Sequence, residues 1–547
     1  MKSILLCFLI GGQTGLAQTK YWVFLDSEEN QYQLSAQPAL SSWSQKNRLT
    51  HGIRLDDRDY PIPEDLLLPF WKEDIPILTK SRWLKAVSVR LNEKQLHRVA
   101  EWPMVKKILP VARGSRIARI ASDCPNVPQQ GTHWRQLNMI GLDVLHRNGW
   151  TGEGIRIAVF DNGFYQVDHL EAFEHVFEEG RMIATRDFVS QQESVFDSCL
   201  GCTHGTNVFS LLAARMPGQL IGAAPHASYL LFRTENDSSE TNQEEDNWIA
   251  AAEYADSIGA EIFTSSLGYN QFDSGQVSYT RSDLDGQTAM ITLAADIAAS
   301  KGMLVLTSAG NEGGLGVTVP ADGKEVLAIG AVDECEEYAP FSSRGPSADG
   351  RIKPDLSAMG DQILMLGPEG RIKQGLGTSL ATPLVAGLAA CLWQAFPGAS
   401  RIDIAEALRQ SASQADRPDN RLGYGIPHGE RAFQWLNTLY PDSQLDTLQK
   451  LHYRSPFLES DFLMYPTPND GKFYLAYAAG IGSLETEVRI EDLLGRTLFT
   501  LEHTTGPGET QQLLDLSLNQ GVYLIRIIGK ESGRLFFSRK FIVNESQ

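Results

Sequence analysis

From about residue 130 to 440 the chain repeats one pattern: a short apolar run, then a longer amphipathic stretch. Residues 155–160 (apart from Arg156), 229–232, 262–263 and 303–306 are apolar runs that read as buried strands, whereas 248–258 and 289–300 read as helices between them. A strand that is apolar on both faces must be covered on both, and intervening helices do this within one chain. The pattern therefore predicts an α/β domain, with a mainly parallel sheet between two helical layers.

The flanks differ. Residues 18–125 read as a small α+β segment, with strands at 21–25, 83–91 and 105–111 and a helix at 92–101; residues 26–80 show no clear period. Residues 441–460 form a connector. Residues 461–547 hold strand candidates at 473–477, 487–490, 521–528 and 535–543. Turn chemistry at Asn469, Asp470 and Gly471 and at Leu494 and Gly495 separates them, as in a β-sandwich.

Residues 1–17 have the order of a secretory signal: Lys2, an apolar core at 4–12, then Gly15, Leu16 and Ala17. That core is shorter than the ~20 residues a bilayer requires, and no later segment is long and apolar enough, so no transmembrane segment is expected. The net charge is −19, which disfavours nucleic acid and anionic lipid as partners. Residues 235–246 carry six acids and no base and read as a solvated loop. Of six cysteines, Cys7 leaves with the signal. Cys391, in the apolar run 388–396, is the candidate unpaired thiol. Cys124, Cys199, Cys202 and Cys335 allow three pairings. Cys199 and Cys202 have the spacing of half a zinc site, but no second such pair completes it, so no metal site is assigned.

Four stretches place reactive side chains where strands end or helices begin. Asp161 ends a strand and precedes Asn162 and Gly163. His204 opens a helical run with Gly205 and Thr206. Asn311 follows the strand at 303–307 through Ser308, Ala309 and Gly310. Ser379 lies in Gly377-Thr378-Ser379-Leu380-Ala381-Thr382-Pro383, at the head of a long apolar helix, with Pro383 expected near its first turn. Loops after parallel strands gather on one edge of a sheet, so the four can converge. These types together suit acyl transfer. A serine needs an imidazole to take its proton, and the imidazole needs a carboxylate to hold its tautomer. The oxyanion needs preorganised donors, which an asparagine amide and a helix-start N–H can supply.

In the order Asp161, His204, Asn311, Ser379, these motifs resemble the subtilisin-like serine peptidases, over residues 130–440. The resemblance implies a subtilisin-like three-layer α/β/α fold and a serine endopeptidase acting on proteins or peptides. In it Asp161 orients, His204 is base then acid, Ser379 attacks, and Asn311 lines the oxyanion hole. Ser266, Leu267 and Gly268 resemble the segment that pairs with extended substrate, and with Ala309 and Gly310 they are expected to wall the substrate pocket. Gly345-Pro346 and Lys353-Pro354-Asp355 also fit the family's pattern. Two positions depart from it: Asn207 stands where a second histidine is usual, and Asn162 where Ser or Thr is common. The resemblance implies no cofactor and only a structural calcium; no EF-hand spacing is present.

Residues 18–125 stand where such peptidases carry a propeptide, and 88–111 resemble its second half. Tyr465 to Lys472, Asp492 to Arg496, Gly521 to Tyr523 and Arg539 to Val543 resemble the sorting domain of the type IX secretion system. That resemblance implies passage through the periplasm, with type IX machinery as partner, to the outer surface or medium. The alternative is a catalytically silent adhesion protein on the same scaffold. A disulfide between Cys199 and Cys202 is expected to stiffen the approach to His204.

Overall fold

The computed structural model describes residues 19–26, 37–111 and 132–441, apart from 198, 200, 217, 237–238 and 274–277. Beyond these it describes 462–465, 472–477, 484–492, 496–505, 511–516, 518, 521–530 and 535–543. The expected signal, Cys124, residues 442–460 of the connector, and the turns at 469–471 and 494–495 lie outside the described residues. The chain divides into two compact units, one holding nearly all of residues 1–443 and the other residues 444–547.

In the first unit, strands β1 (Thr19–Leu25), β2 (Ile77–Ser81), β3 (Ala86–Leu91) and β4 (Val105–Pro110) form an antiparallel sheet in the order β2-β3-β1-β4. Helix α1 (Ser42–Thr50) and helix α2 (Glu64–Lys72), like β2, fall in the stretch that showed no period. Helix α3 (Glu93–Ala100) opens on a capping box in which Asn92 and Gln95 satisfy each other's backbone N–H groups. The expected strand-helix-strand is therefore split, because β3 and β4 pair with opposite edges of β1. Alternate residues of the sheet face opposite ways. Val23, Leu25, Val87, Val89 and Leu91 pack on Leu67, Phe70 and Val99. Trp22 and Ala86, with Trp83, pack instead into the cluster that holds Trp248, Ala251, Ala252 and Ala255.

Strands β5 (Arg156–Asp161), β6 (Met182–Asp187), β7 (Ser228–Arg233), β8 (Ile262–Ser265), β9 (Leu304–Ser308), β10 (Leu327–Val332) and β11 (Leu356–Met359) form the central sheet. All its pairs are parallel, in the order β11-β10-β9-β8-β5-β7-β6. Helices α4 (His204–Ala213) and α7 (Thr378–Ala395) pack together on one face of the sheet, and α5 (Asn242–Ile258) and α6 (Met290–Ser300) on the other. Among the described residues, only α7 is long and apolar enough to cross a membrane, and it is buried in the core. The strand order reverses between β5 and β8, the position outside the strand ends where parallel sheets of this kind place their ligands.

Two expectations are corrected. The described residues of 235–246 do not form a solvated loop: α5 begins at Asn242, and Glu235, Glu244, Glu245 and Asp246 are buried. Partners distant in sequence make this tolerable. Lys20 on β1 pairs with Asp246 at 2.8 Å, Ser88 donates to it at 2.5 Å, and Tyr279 donates to Glu245 at 2.7 Å. Burial pushes the Glu244 carboxyl up to about 8 and that of Glu245 up to about 7. Pro383 is not in the first turn but inside α7. It cannot donate to the carbonyl of Ser379, four residues back, and that carbonyl accepts instead from the Ser266 hydroxyl at 2.7 Å.

Charged groups continue along the same contact. Arg48 of α1 pairs with Asp59 and reaches Asp256 of α5 at 2.6 Å, and Arg82 reaches Asp256 at 2.8 Å. Glu253 accepts from the Ser81 hydroxyl at 2.6 Å and the Trp83 N–H at 3.0 Å. Cys199 and Cys202 are disulfide-bonded, Cys391 is a buried free thiol as expected, and Cys335 is an exposed one.

The second unit is antiparallel throughout its described strands. β12 (Phe462–Tyr465), β13 (Lys472–Tyr477) and β16 (Gln511–Asp515) form one sheet, in the order β12-β13-β16. β14 (Leu484–Glu491), β15 (Thr497–Thr505), β17 (Gly521–Gly529) and β18 (Leu535–Val543) form the other, in the order β15-β14-β17-β18. Val488 faces Ile527 and Ile490 faces Ile525 across the register, all four buried.

Candidate active site

Asp161 is the last residue of β5 and is buried, so its carboxylate projects from the sheet edge into a dry setting. One oxygen, Oδ1, accepts from its neighbour's N–H (Asn162) and from His204 Nδ1–H, each at 2.8 Å. His204 is the first residue of α4, and its Nε2 lies 2.9 Å from Ser379 Oγ. This is an unbroken hydrogen-bonded chain of carboxylate, imidazole and hydroxyl.

Glycine makes the approach of α4 to β5 possible. A Cβ on Gly205 would lie 2.3 Å from the Gly163 carbonyl oxygen and 3.0 Å from Asp161 Cβ. The Asn162 side chain accepts the Gly205 N–H at 3.2 Å and so satisfies a donor of the first turn of α4. At this departure from the usual residue, the substitute therefore holds the histidine helix. Arg233 donates to the Asn162 carbonyl at 2.9 Å and pairs with Asp187, also at 2.9 Å. Burial alone would raise the Asp187 carboxyl, but hydrogen bonds from Ser190 and the charge of Arg233 hold it below its usual value. Asn207, the second departure, is buried in α4. Cys202 packs against the same turn, since a Cβ on Gly163 would lie 2.8 Å from Cys202 Cβ.

Ser379 is the second residue of α7, where the backbone N–H has no carbonyl four residues back within the helix. Asn311 stands beside it, with Oδ1 accepting the Thr378 N–H at 2.9 Å and the Thr378 hydroxyl at 3.1 Å. These bonds fix which end of the amide is which, and leave Nδ2 toward Ser379. Gly377, at φ +147°, exposes the point between them. A Cβ there would lie 2.9 Å from Ser379 Oγ and 3.8 Å from both Asn311 Nδ2 and the Ser379 nitrogen. Two donors thus converge on a space beside the hydroxyl.

The five expected pocket residues sit on the ends of two neighbouring strands. Ser266, Leu267 and Gly268 follow β8, and Ala309 and Gly310 follow β9. Ser308 Oγ donates to the Leu267 carbonyl at 3.2 Å, and Gly310 N–H to Thr378 Oγ1 at 3.2 Å, joining both strand ends to the serine helix. Gly377, Thr378 and the positioning part of Asn162 were present in the quoted motifs without a role.

The described residues also gather one carboxylate trio, Glu235, Glu240 and Glu244. Glu244 accepts backbone N–H groups from Asn236 and Thr241, and Glu235 accepts the Tyr269 and Thr234 hydroxyls. Calcium takes ~6–8 oxygens, so three committed carboxylates do not fit it, and no calcium is assigned to them.

Three family models match successive parts of the chain. The subtilase family model matches residues 152–425, the peptidase S8 propeptide domain of Bacteroidota matches 20–124, and the secretion system C-terminal sorting domain matches 463–544. A subtilisin-like protease of Arabidopsis thaliana is 29% identical over 56% of this chain, which spans 28% of that protein's length. The thermostable alkaline protease of Halalkalibacterium halodurans is 27% identical over 66% of this chain and 86% of its own. The crystal structure of the epidermin leader peptide processing serine protease from Staphylococcus aureus shares the fold. Its TM-score is 0.53 at 18% identity, over 77% of this chain and 99% of that one. With half its length matched by that family model, the chain belongs to the subtilase family.

Proposed function

We propose that the protein is a secreted serine endopeptidase in which Ser379 attacks the peptide carbonyl, His204 moves the proton, and Asp161 orients and stabilises His204. The carrying observation is the continuous chain from Asp161 Oδ1 through His204 to Ser379 Oγ, at 2.8 and 2.9 Å. As Ser379 Oγ bonds to the carbonyl carbon, its proton passes to His204 Nε2, and the carbonyl π pair becomes the oxyanion. Asn311 Nδ2–H and the Ser379 N–H supply the donors for that charge. His204 then gives the proton to the leaving amine, and water repeats the sequence on the acyl-enzyme. Substrate backbone would lie along residues 266–268 by β-augmentation.

In this reading residues 18–125 act as an inhibitory propeptide and residues 461–547 direct export through type IX machinery, by way of the periplasm, to the cell surface or medium. Matches to propeptide and sorting families support both. Filled catalytic positions and protease relatives weigh against a silent adhesion protein.

An active-site-directed fluorophosphonate should label the processed protein and fail on Ser379→Ala. The Ser379→Ala chain should also retain residues 18–125. Absence of labelling on folded, processed protein would favour the adhesion reading. Deleting 461–547 should hold the protein in the periplasm, and normal release would refute the sorting role.

A further inference from the structure

We infer that Thr318 closes the pocket that receives the side chain preceding the scissile bond, and so restricts that position to small residues such as Gly, Ala and Ser. The inference rests on the protease reading above. That side chain is borne on the α-carbon bonded to the scissile carbonyl carbon. With the carbonyl oxygen in the space over Gly377, it must enter between the two strand ends, 266–268 and 309–311.

Parallel pairing of β8 and β9 is recorded as far as Ser265 and Thr307. Beyond that point the two ends are bare where they face each other, since Gly268 and Gly310 carry no side chain. A slot with two glycine walls would by itself admit a large flat residue. Thr318 fills it. A Cβ on Gly268 would lie 2.0 Å from Thr318 Oγ1 and 2.8 Å from its Cβ. A Cβ on Gly310 would lie 2.8 Å from Thr318 Cγ2 and 3.1 Å from Oγ1. One threonine therefore stands against both walls at once.

The backbone holds it there. Thr318 N–H donates to the Ala309 carbonyl at 3.0 Å, on one wall. The next residue, Val319, exchanges hydrogen bonds of 2.9 and 3.1 Å with Tyr269, directly after the other wall. Asn270 Nδ2 donates to the Val317 carbonyl at 3.1 Å. Segment 317–319 is thus stitched to both sides of the slot, and Thr318 is only 5% exposed. It cannot swing aside without breaking these bonds. A substrate methyl or hydroxymethyl fits above it, whereas a phenyl ring collides with it.

The test uses the full chain after its own processing, titrated with fluorophosphonate, on two tetrapeptide p-nitroanilides that differ only in Ala or Phe before the cleaved bond. Pocket changes of one or a few carbons shift kcat/KM by ~10–200-fold. Native protein should prefer Ala over Phe by at least ~100-fold, and Thr318→Gly should narrow that ratio by at least ~10-fold, with Thr318→Ala between. Comparable kcat/KM for both peptides in native protein overturns the inference. So does an unchanged ratio in either variant when its active site titrates normally. Thr318→Ala carries the comparison if Thr318→Gly does not fold. A native chain that neither labels nor cleaves any peptide refutes the protease reading itself, a result distinct from cleavage with the wrong preference.

Discussion

Gly377 offers a direct probe of how the proposed oxyanion site works. In Gly377→Ala the new methyl would sit 2.9 Å from Ser379 Oγ and 3.8 Å from each of the two donors. It occupies the space into which the carbonyl oxygen must turn as the tetrahedral centre forms. Loss of a single such donor costs ~2.7–4 kcal/mol, or 10²–10³ in kcat, and the methyl bars access to both. At φ +147° and ψ 147° the alanine also carries ~1–3 kcal/mol of backbone strain, which lowers stability and is read separately by thermal unfolding. Asn311→Ala removes one donor and leaves the cavity open. Each single variant should lose at least ~10²-fold in kcat with KM near native, because the interaction exists only in the transition state. The double variant should lose little more than Gly377→Ala alone, since both changes disable one site. The assay is kcat and KM on a chromogenic peptide, normalised to folded protein, with Ser379→Ala as the floor. Losses that multiply to ~10⁴-fold or more in the double variant would show that the two residues act independently and refute the shared site.

Asn162→Ala removes the acceptor of the Gly205 N–H at the head of α4. It should lower stability by ~1 kcal/mol and kcat/KM by about tenfold, and native values for both would refute its positioning role. Gentle reduction of the Cys199–Cys202 bond should lower the unfolding temperature and the activity. The stabilisation lost is on the order of 2 kcal/mol, and no change with the bond shown broken sinks the stiffening role. Glu245, pushed up to about 7 by burial, gives a pH signature. Between the ordinary carboxylate value and about 7 the folded chain keeps a proton that the unfolded chain has released. Stability therefore falls as pH rises through that window, by at most ~1.4 kcal/mol per unit from this group. Glu245→Gln should gain on the native chain from about pH 5 to about pH 7 in urea unfolding, and parallel curves would refute the assignment.

The four residues that meet at the candidate site were legible because the demands on their positions are local. Asp161 ends an apolar strand, His204 and Ser379 open helices beside permissive glycines, and Asn311 follows a strand end. Each demand is written within a few residues. The acids of 235–246 were not legible as buried groups, because Lys20 and Ser88, which hold Asp246, come from the far N-terminal part of the chain. Helix α1 was hidden because it is mostly polar and docks through ions: Arg48 finds Asp256 rather than an apolar stripe. Helix α2 does bury an apolar face through Leu67 and Phe70, but Pro63 and Pro69 break its sequence signal. Pro383 misled for a related reason. Its effect on α7 depended on whether a distant group, Ser266, would take up the carbonyl it leaves unpaired. Thr318 has no motif at all, and only the meeting of two strand ends reveals it.

The ion pairs between the N-terminal sheet and α5 bear on discrimination among related molecules. Burying a matched ion pair often contributes little net affinity, so the contact area of Trp22, Trp83 and Ala86 carries most of the attraction. The charges act when the match is wrong. A foreign N-terminal segment with the same apolar face but no cations at the places of Arg82 and Arg48 would seal Glu253 and Asp256 without a counter-ion. Such an orphaned charge costs ~3–5 kcal/mol, which is roughly two to nearly four orders of magnitude in binding. Arg48, Arg82 and Lys20 would thus let this catalytic domain tell its own N-terminal segment from one of like shape that lacks those charges.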